Sequence, residues 1–230
     1  MARISPASPA SRYGTRRRVA VPLVAGFAGL GVMATLTTHE VLAVDFPTAT
    51  SNYRVYSDQL SGESVAAYAG GQAVSDGTRQ GVVQLAIGSA EVHGLCVIAS
   101  QKFAGLGNIS VVLTAGEKVD GTPTSGTPAL KLDKLVVSTS DAIGEGSGVG
   151  RLELGRASET LTVGGDPWKG TPGTQGLQAQ TLTLDAADIS AAGLQVSSPL
   201  KLPGLRVKTV LGDGGVADAS KSGTTPDGCR

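Results

Sequence analysis

Aromatic side chains make up only 3% of this 230-residue chain, and histidine and cysteine occur twice each. Beyond residue 43 the aromatics reduce to Phe46, Tyr53, Tyr56, Tyr68, Phe103 and Trp168. They are too few and too scattered for a platform that stacks bases or sugars. Because His39 lies close to the amino terminus, a Ser-His-Asp triad in the body of the chain would have to use His93 as its base. His93 sits among apolar strand residues, beside Gly94-Leu95-Cys96, where a structural histidine is expected. The Gly-x-Ser-x-Gly nucleophile elbow is missing, and its nearest approach, Gly62-Glu63-Ser64-Val65-Ala66, ends on alanine.

Metal and phosphate chemistry lack their signatures too. There is no Cys-x-x-Cys, no histidine pair and no Asp-x-Asp-x-Asp-Gly calcium loop. Gly144-Glu145-Gly146-Ser147-Gly148 is glycine-rich but lacks the Lys-Ser/Thr ending of a phosphate loop. Carboxylates are plentiful, yet nothing in their spacing selects a glycosidase pair. The expectation is of no cofactor, no metal site and no catalytic residue. Trp168, within Gly165-Asp166-Pro167-Trp168-Lys169-Gly170, is expected to cap a core edge from a loop.

Basic residues are scarce where nucleic acid would need them. Five arginines (Arg3, Arg12, Arg16, Arg17 and Arg18) precede residue 44 with a single acid, Glu40, and the remainder carries 14 basic and 18 acidic residues. A mildly acidic body without basic clusters excludes nucleic acid as the expected partner.

What is present at the amino terminus is an export pattern. Arg16-Arg17-Arg18 leads into an uncharged stretch from Val19 to Leu36, and Val41-Leu42-Ala43 places residues suited to positions −3 and −1 of a cleavage point after Ala43. Thr15-Arg16-Arg17-Arg18-Val19-Ala20 also carries some likeness to a twin-arginine signal. Left uncut, the same segment is near the minimum length for a membrane anchor and would give the protein its membrane contact. The expected organisation is a signal or anchor helix over 1–43, an extracytoplasmic domain over 44–211 and a Gly-rich tail over 212–230. For an exported chain, Cys96 and Cys229 are expected to pair and pin that tail, the alternatives being free thiols or intermolecular bonds.

The body reads as all-β, with short alternating apolar runs separated by Gly, Pro, Ser and Thr clusters. Strands are predicted at 53–60, 81–87, 91–100, 109–115, 129–138, 150–154, 177–184, 189–197 and 205–211. Loops are predicted at 116–128, 144–148, 164–176 and 212–228. One pattern recurs: apolar, any, mostly apolar, Asp or Gly, any, Leu or Ala. It stands at Val55 to Leu60, Leu85 to Ala90, Leu130 to Leu135, Leu152 to Ala157 and Leu182 to Ala187. The third apolar position arrives three residues on instead of two, so the side-chain phase flips, as at a β-bulge or corner, and Asp or Gly is expected to take the unusual backbone angles there. Irregular spacing between copies argues against a solenoid. Gly-rich bent sheets in a sandwich, a prism or a partly wound sheet are expected.

The basic leader, the Gly-Leu-Cys segment at Gly94 to Cys96, the Leu130 to Leu135 strand and the terminal Gly228-Cys229 together resemble a family of secreted actinobacterial proteins of uncharacterised function. Some of its members are named cholesterol esterase. The resemblance implies export, a Cys96–Cys229 pair and association with the cell envelope, and it supplies no catalytic residues. The leading expectation is an exported, non-enzymatic envelope protein that binds a lipid or another envelope component through a β-sheet surface. An extracellular ester or glycan hydrolase and a structural surface-layer protein are the alternatives.

Overall fold

The structure is a computed structural model in which residues 53–73, 78–105, 107–116, 129–197, 199–221 and 223–230 are described. The leader, its helix and the Ala43 cleavage point lie outside these residues, as does most of the loop expected at 116–128. Among the described residues no helix is long and apolar enough to cross a membrane.

Eleven strands form the fold: β1 (Tyr53–Ala73), β2 (Arg79–His93), β3 (Leu95–Phe103), β4 (Gly107–Ala115), β5 (Leu130–Ile143), β6 (Gly146–Gly150), β7 (Glu153–Ala157), β8 (Thr162–Val163), β9 (Asp166–Pro167), β10 (Gln175–Val196) and β11 (Arg206–Leu211). Four of them close on themselves through antiparallel pairings. β1 pairs with β2, β2 with β5, β5 with the second half of β10, and the first three-quarters of β10 with β1. One circuit runs from Ala179 on β10 to Val65, Ile87 and Leu135, and returns to β10 at Val196, 17 residues beyond its start. So large a stagger means steeply tilted strands. The result is a partly wound sheet, one of the forms expected from the sequence.

Side chains fill the interior in rows. Ala179, Val65, Ile87, Leu135 and Val196 make one row, and Leu184, Leu60, Val92 and Leu130 another. Each fully buried Val, Leu or Ile contributes about 1.5–3 kcal/mol relative to exposure, so these rows are the main source of stability.

The repeated sequence pattern is the device that lets long strands wind. Along β2 and β3 the inward residues are Leu85, Ile87, Ala90, Val92, Leu95 and Val97, all part of one core. Steps of two and three alternate, so an inward pair returns every five residues. On β5, Leu130, Leu132, Leu135 and Val137 follow the same rhythm. Neighbouring strands flip at one level: Ser64, Gly88 and Lys134 stand side by side, flanked by the pairs Val65↔Ile87↔Leu135 and Glu63↔Ser89↔Asp133. Because all flip together, hydrogen-bonded pairing resumes without a slip.

The backbone angle falls one residue later than expected. Left-handed φ values belong to Lys134 (52°) and Ala186 (48°), each following the aspartate of its pattern, and to Ser64 (55°), following Glu63. The acid keeps its place in the ladder, with Asp133 opposite Ser89 and Asp185 opposite Gln59, whose amide donates to Asp185 Oδ1 at 2.8 Å. The following residue takes the rotation. In the Leu152 to Ala157 copy the fourth-place Gly155 carries the positive φ, as the pattern implied. That copy sits on the outer strand β7, where Leu154 is exposed.

A left-handed non-glycine residue costs about 1–2 kcal/mol. Ala186→Gly is accordingly expected to stabilise the protein by about 0.5–1 kcal/mol after the added unfolded-state entropy of glycine. A denaturant midpoint that falls instead would show that the angle is not strained.

Several expected boundaries are corrected. β1 continues to Ala73 through Gly62, Gly70 and Gly71, and β10 is one strand where two were expected, because a three-residue step in an alternating pattern looks like a break. Residues 146–150, expected as loop, form β6 against β10, and within 164–176 Asp166–Pro167 forms β9. Gly94 makes the corner between β2 and β3 at φ +60, and a Cβ there would lie on the carboxylate of Asp58.

Candidate functional site

The outward faces of the wound sheet are the candidates for function, and three of them are occupied or polar. The first lies over the start of β1 and over β3, β4 and the middle of β10. There the carboxy-terminal segment, residues 212–230, packs across Tyr56, Cys96, Ile98 and Val112, with Val210 and Val216 against them. Cys96 is bonded to Cys229, with Cα atoms 6.0 Å apart. Arg54, 3% exposed, and Asp188, fully buried, form a two-pronged ion pair: Nε donates to Oδ1 at 2.9 Å and Nη2 to Oδ2 at 2.6 Å. Nη1 of Arg54 donates to the carbonyl of Gly215 at 2.9 Å, carrying the pair into the segment. Ser220 adds a bridge, accepting from the Ser190 amide and donating to the Asp141 carbonyl. Burial raises the Tyr56 phenol above its ordinary value, while a hydrogen bond from Thr225 works against that shift. What looked like a loose tail is a fitted cover.

The second face is capped by residues 158–170. Leu161 and Val163 pack on Ala66 and Ala86, and Trp168 lies over Tyr68 with ring centroids 5.0 Å apart. Trp168 thus caps a core edge from the short β8–β9 hairpin.

The third face is polar. Glu63, Ser89, Asp133 and Thr181 stand in one cross-strand row, and Ser61, Glu91, Lys131 and Thr183 in the next. They line a concavity of about 440 Å³. Glu91 is engaged with Lys131 at 3.3 Å, both well exposed. Among the described residues no group of His, Cys, Asp and Glu is arranged to hold a metal ion.

The structure does not bring the hydrolase candidates together. His93 ends β2 opposite Gln59, and Ser64 stands five residues further along β1, roughly 16 Å away at strand rise. The Ser64 hydroxyl accepts the Gly164 amide at 2.7 Å, which ties it to the β8–β9 hairpin.

The fourth face is open and apolar. β3 pairs with β1 only from Arg54↔Ile98 to Tyr56↔Cys96, so β3, β4 and β11 run on beyond the closed strands as a three-stranded wing. Even-numbered residues of β3 turn toward the carboxy-terminal cover. Odd-numbered ones begin inside the core, at Val97 and Leu113, and end in the open. Val111, Val207, Leu211 and Phe103 are exposed, Leu211 by 85% and Val207 by 61%. An isolated exposed leucine is unremarkable, but a contiguous apolar sheet face marks an interaction surface. Sequence reasoning placed strands at 109–115 and 205–211 without marking this face, because alternation shows which side chains share a side and not what covers them.

No curated protein and no solved structure matches the chain. A model described as a family of unknown function (DUF6230) matches residues 49–215, which span the wound sheet, the wing and the start of the carboxy-terminal cover, and the chain belongs to that family.

Proposed function

We propose that the protein is exported and works as a non-enzymatic component of the cell envelope that holds lipid on a β-sheet surface. One observation carries this reading: the inner face of the β3-β4-β11 wing continues the hydrophobic core into the open, with Val111, Val207, Leu211 and Phe103 uncovered. The interior of the wound sheet is filled by its own side chains, so the lipid lies on the wing and not in a groove between bent sheets. The basic leader, the Cys96–Cys229 bond and the resemblance to secreted actinobacterial proteins support export, since disulfides persist outside the reducing cytoplasm. The name cholesterol esterase attached to some of those proteins finds no counterpart in the placement of His93 and Ser64.

The test uses the form of the chain recovered from the producing cells. Vesicles of extracted envelope lipid are expected to raise its melting temperature, because a ligand that binds only the folded state stabilises it. Combining Val207→Asp with Leu211→Asp abolishes that rise. The same pair shifts lipid-free stability by no more than about 0.5 kcal/mol per site, as expected for exposed positions. An unchanged melting temperature of the wild type with lipid removes the proposal.

A further inference from the structure

We infer that the wing meets a lipid surface carrying negative headgroups, an inference that rests on the lipid reading above and names the class of lipid. From Leu95 to Ala115 and from Ser197 to Leu211 the chain carries Lys102, Lys201, Arg206 and Lys208 and no acid. A body with more acids than bases therefore presents a region of one positive sign around its open apolar face.

The placement suits both ends of that face. Lys102 is opposite Asn108, beside the β3–β4 turn, at the end where Leu211 pairs with Ile109. Arg206 is opposite Thr114 at the other end, and Lys201 precedes it in the connection to β11. All three side chains are exposed, and among the described residues none of them takes part in an ion pair. Lys208 donates to the Arg230 carbonyl at 2.8 Å and so serves the carboxy-terminal cover as well.

On β11 the cations alternate with Val207, Thr209 and Leu211 along a strand paired on one side with β4. A long basic side chain can lay its stem along apolar surface while its head reaches the phosphate layer. Buried apolar area and attraction to anionic lipid then act together, as they do for other proteins that lie on a membrane without crossing it.

The contrast with the other exposed apolar patch decides which one is chosen. Val149, Leu152 and Leu154 are also open, on β6, the residue before β7, and β7 itself. Their charged neighbours are of both signs: Arg151, Glu153 and Arg156, with Arg156 bonded to Glu153 at 3.0 Å. That patch has no net sign to match a charged surface.

The experiment places a reporter on the wing so that contact through the leader cannot imitate it. In the exported form, Trp168→Phe combined with Leu211→Trp puts the single indole on the open face. Phosphatidylcholine–phosphatidylglycerol vesicles are expected to shift its emission to the blue, and phosphatidylcholine alone to leave it nearly unchanged. Adding Lys201→Gln and Arg206→Gln weakens the anionic binding roughly 30-fold, at about fivefold per charge near a membrane surface. Raising the salt concentration weakens it further.

A blue shift equal on neutral and anionic vesicles and insensitive to the two glutamines overturns the inference and leaves the lipid reading standing. A reporter silent on both vesicles and on envelope lipid overturns both. A chain that is dimeric without lipid, made monomeric by Leu211→Asp and silent toward vesicles, assigns the face to a second copy instead.

Discussion

Replacing both Cys96 and Cys229 by alanine is expected to lower the free energy of unfolding by about 4–5 kcal/mol. The bond joins residues 133 apart, and a closed loop of that length removes about 5 kcal/mol of chain entropy from the unfolded state in the simplest model. Folded domains commonly have about 5–15 kcal/mol in all, so the variant should sit near the threshold of folding at physiological temperature. Loss is not confined to the unfolded state. Cys229 belongs to the small core made with Tyr56, Cys96, Ile98 and Val112, and a released carboxy terminus would open that core to water. Two readouts separate the effects. Global stability follows from the denaturant midpoint, and limited proteolysis reports whether residues 212–230 become cleavable before the body does. A double variant within about 1 kcal/mol of wild type, with the segment still protected, would mean that the hydrogen bonds of Arg54 and Ser220 hold the cover without the bond.

How far the fold was legible depends on what each local pattern could carry. Leu130-Lys131-Leu132-Asp133-Lys134-Leu135 announces its flip because two leucines set the phase and a third breaks it. Leu60-Ser61-Gly62-Glu63-Ser64-Val65 makes the same turn silently. Its second inward place is Gly62, where a Cβ would lie 2.4 Å from Cγ2 of Ile87, so the apolar volume of that row is supplied by the neighbouring strand. Such a trade leaves no trace in β1 alone. Residues 61–73 therefore read as irregular although they pair with β2 all the way to Ala73↔Arg79.

Closure of the sheet was equally hidden. The pairings that wind it, β10 with β1 and β10 with β5, join residues more than 50 positions apart, and only their shared five-residue rhythm hints that they belong together. All-β character survives because it rests on alternation, which every strand carries for itself. Coverage does not, since Val111 and Val207 look in sequence like Val97 and Leu113, and the difference is whether another layer lies above them.

Arg54→Ala should cost about 3–5 kcal/mol, nearly as much as losing the disulfide, because it strands the Asp188 carboxylate in a site with no solvent access. Asp188→Ala should cost a similar amount by stranding the guanidinium, which would retain the Gly215 carbonyl and the longer 3.4 Å contact to the Thr224 carbonyl. The double variant Arg54→Met with Asp188→Leu removes both charges and refills the volume, and apolar replacements of buried pairs are often neutral or stabilising. It should recover at least half of the single-variant loss. Recovery has a second, separable component, because the apolar pair cannot donate to Gly215. The body would regain its stability while residues 212–230 stay more open to protease than in the wild type. If the double variant were instead as unstable as Arg54→Ala, the hydrogen bonds into the cover, and not the buried charge, would be the larger contribution of Arg54. The ion pair would then belong to the attachment of the carboxy terminus more than to the wound sheet beneath it.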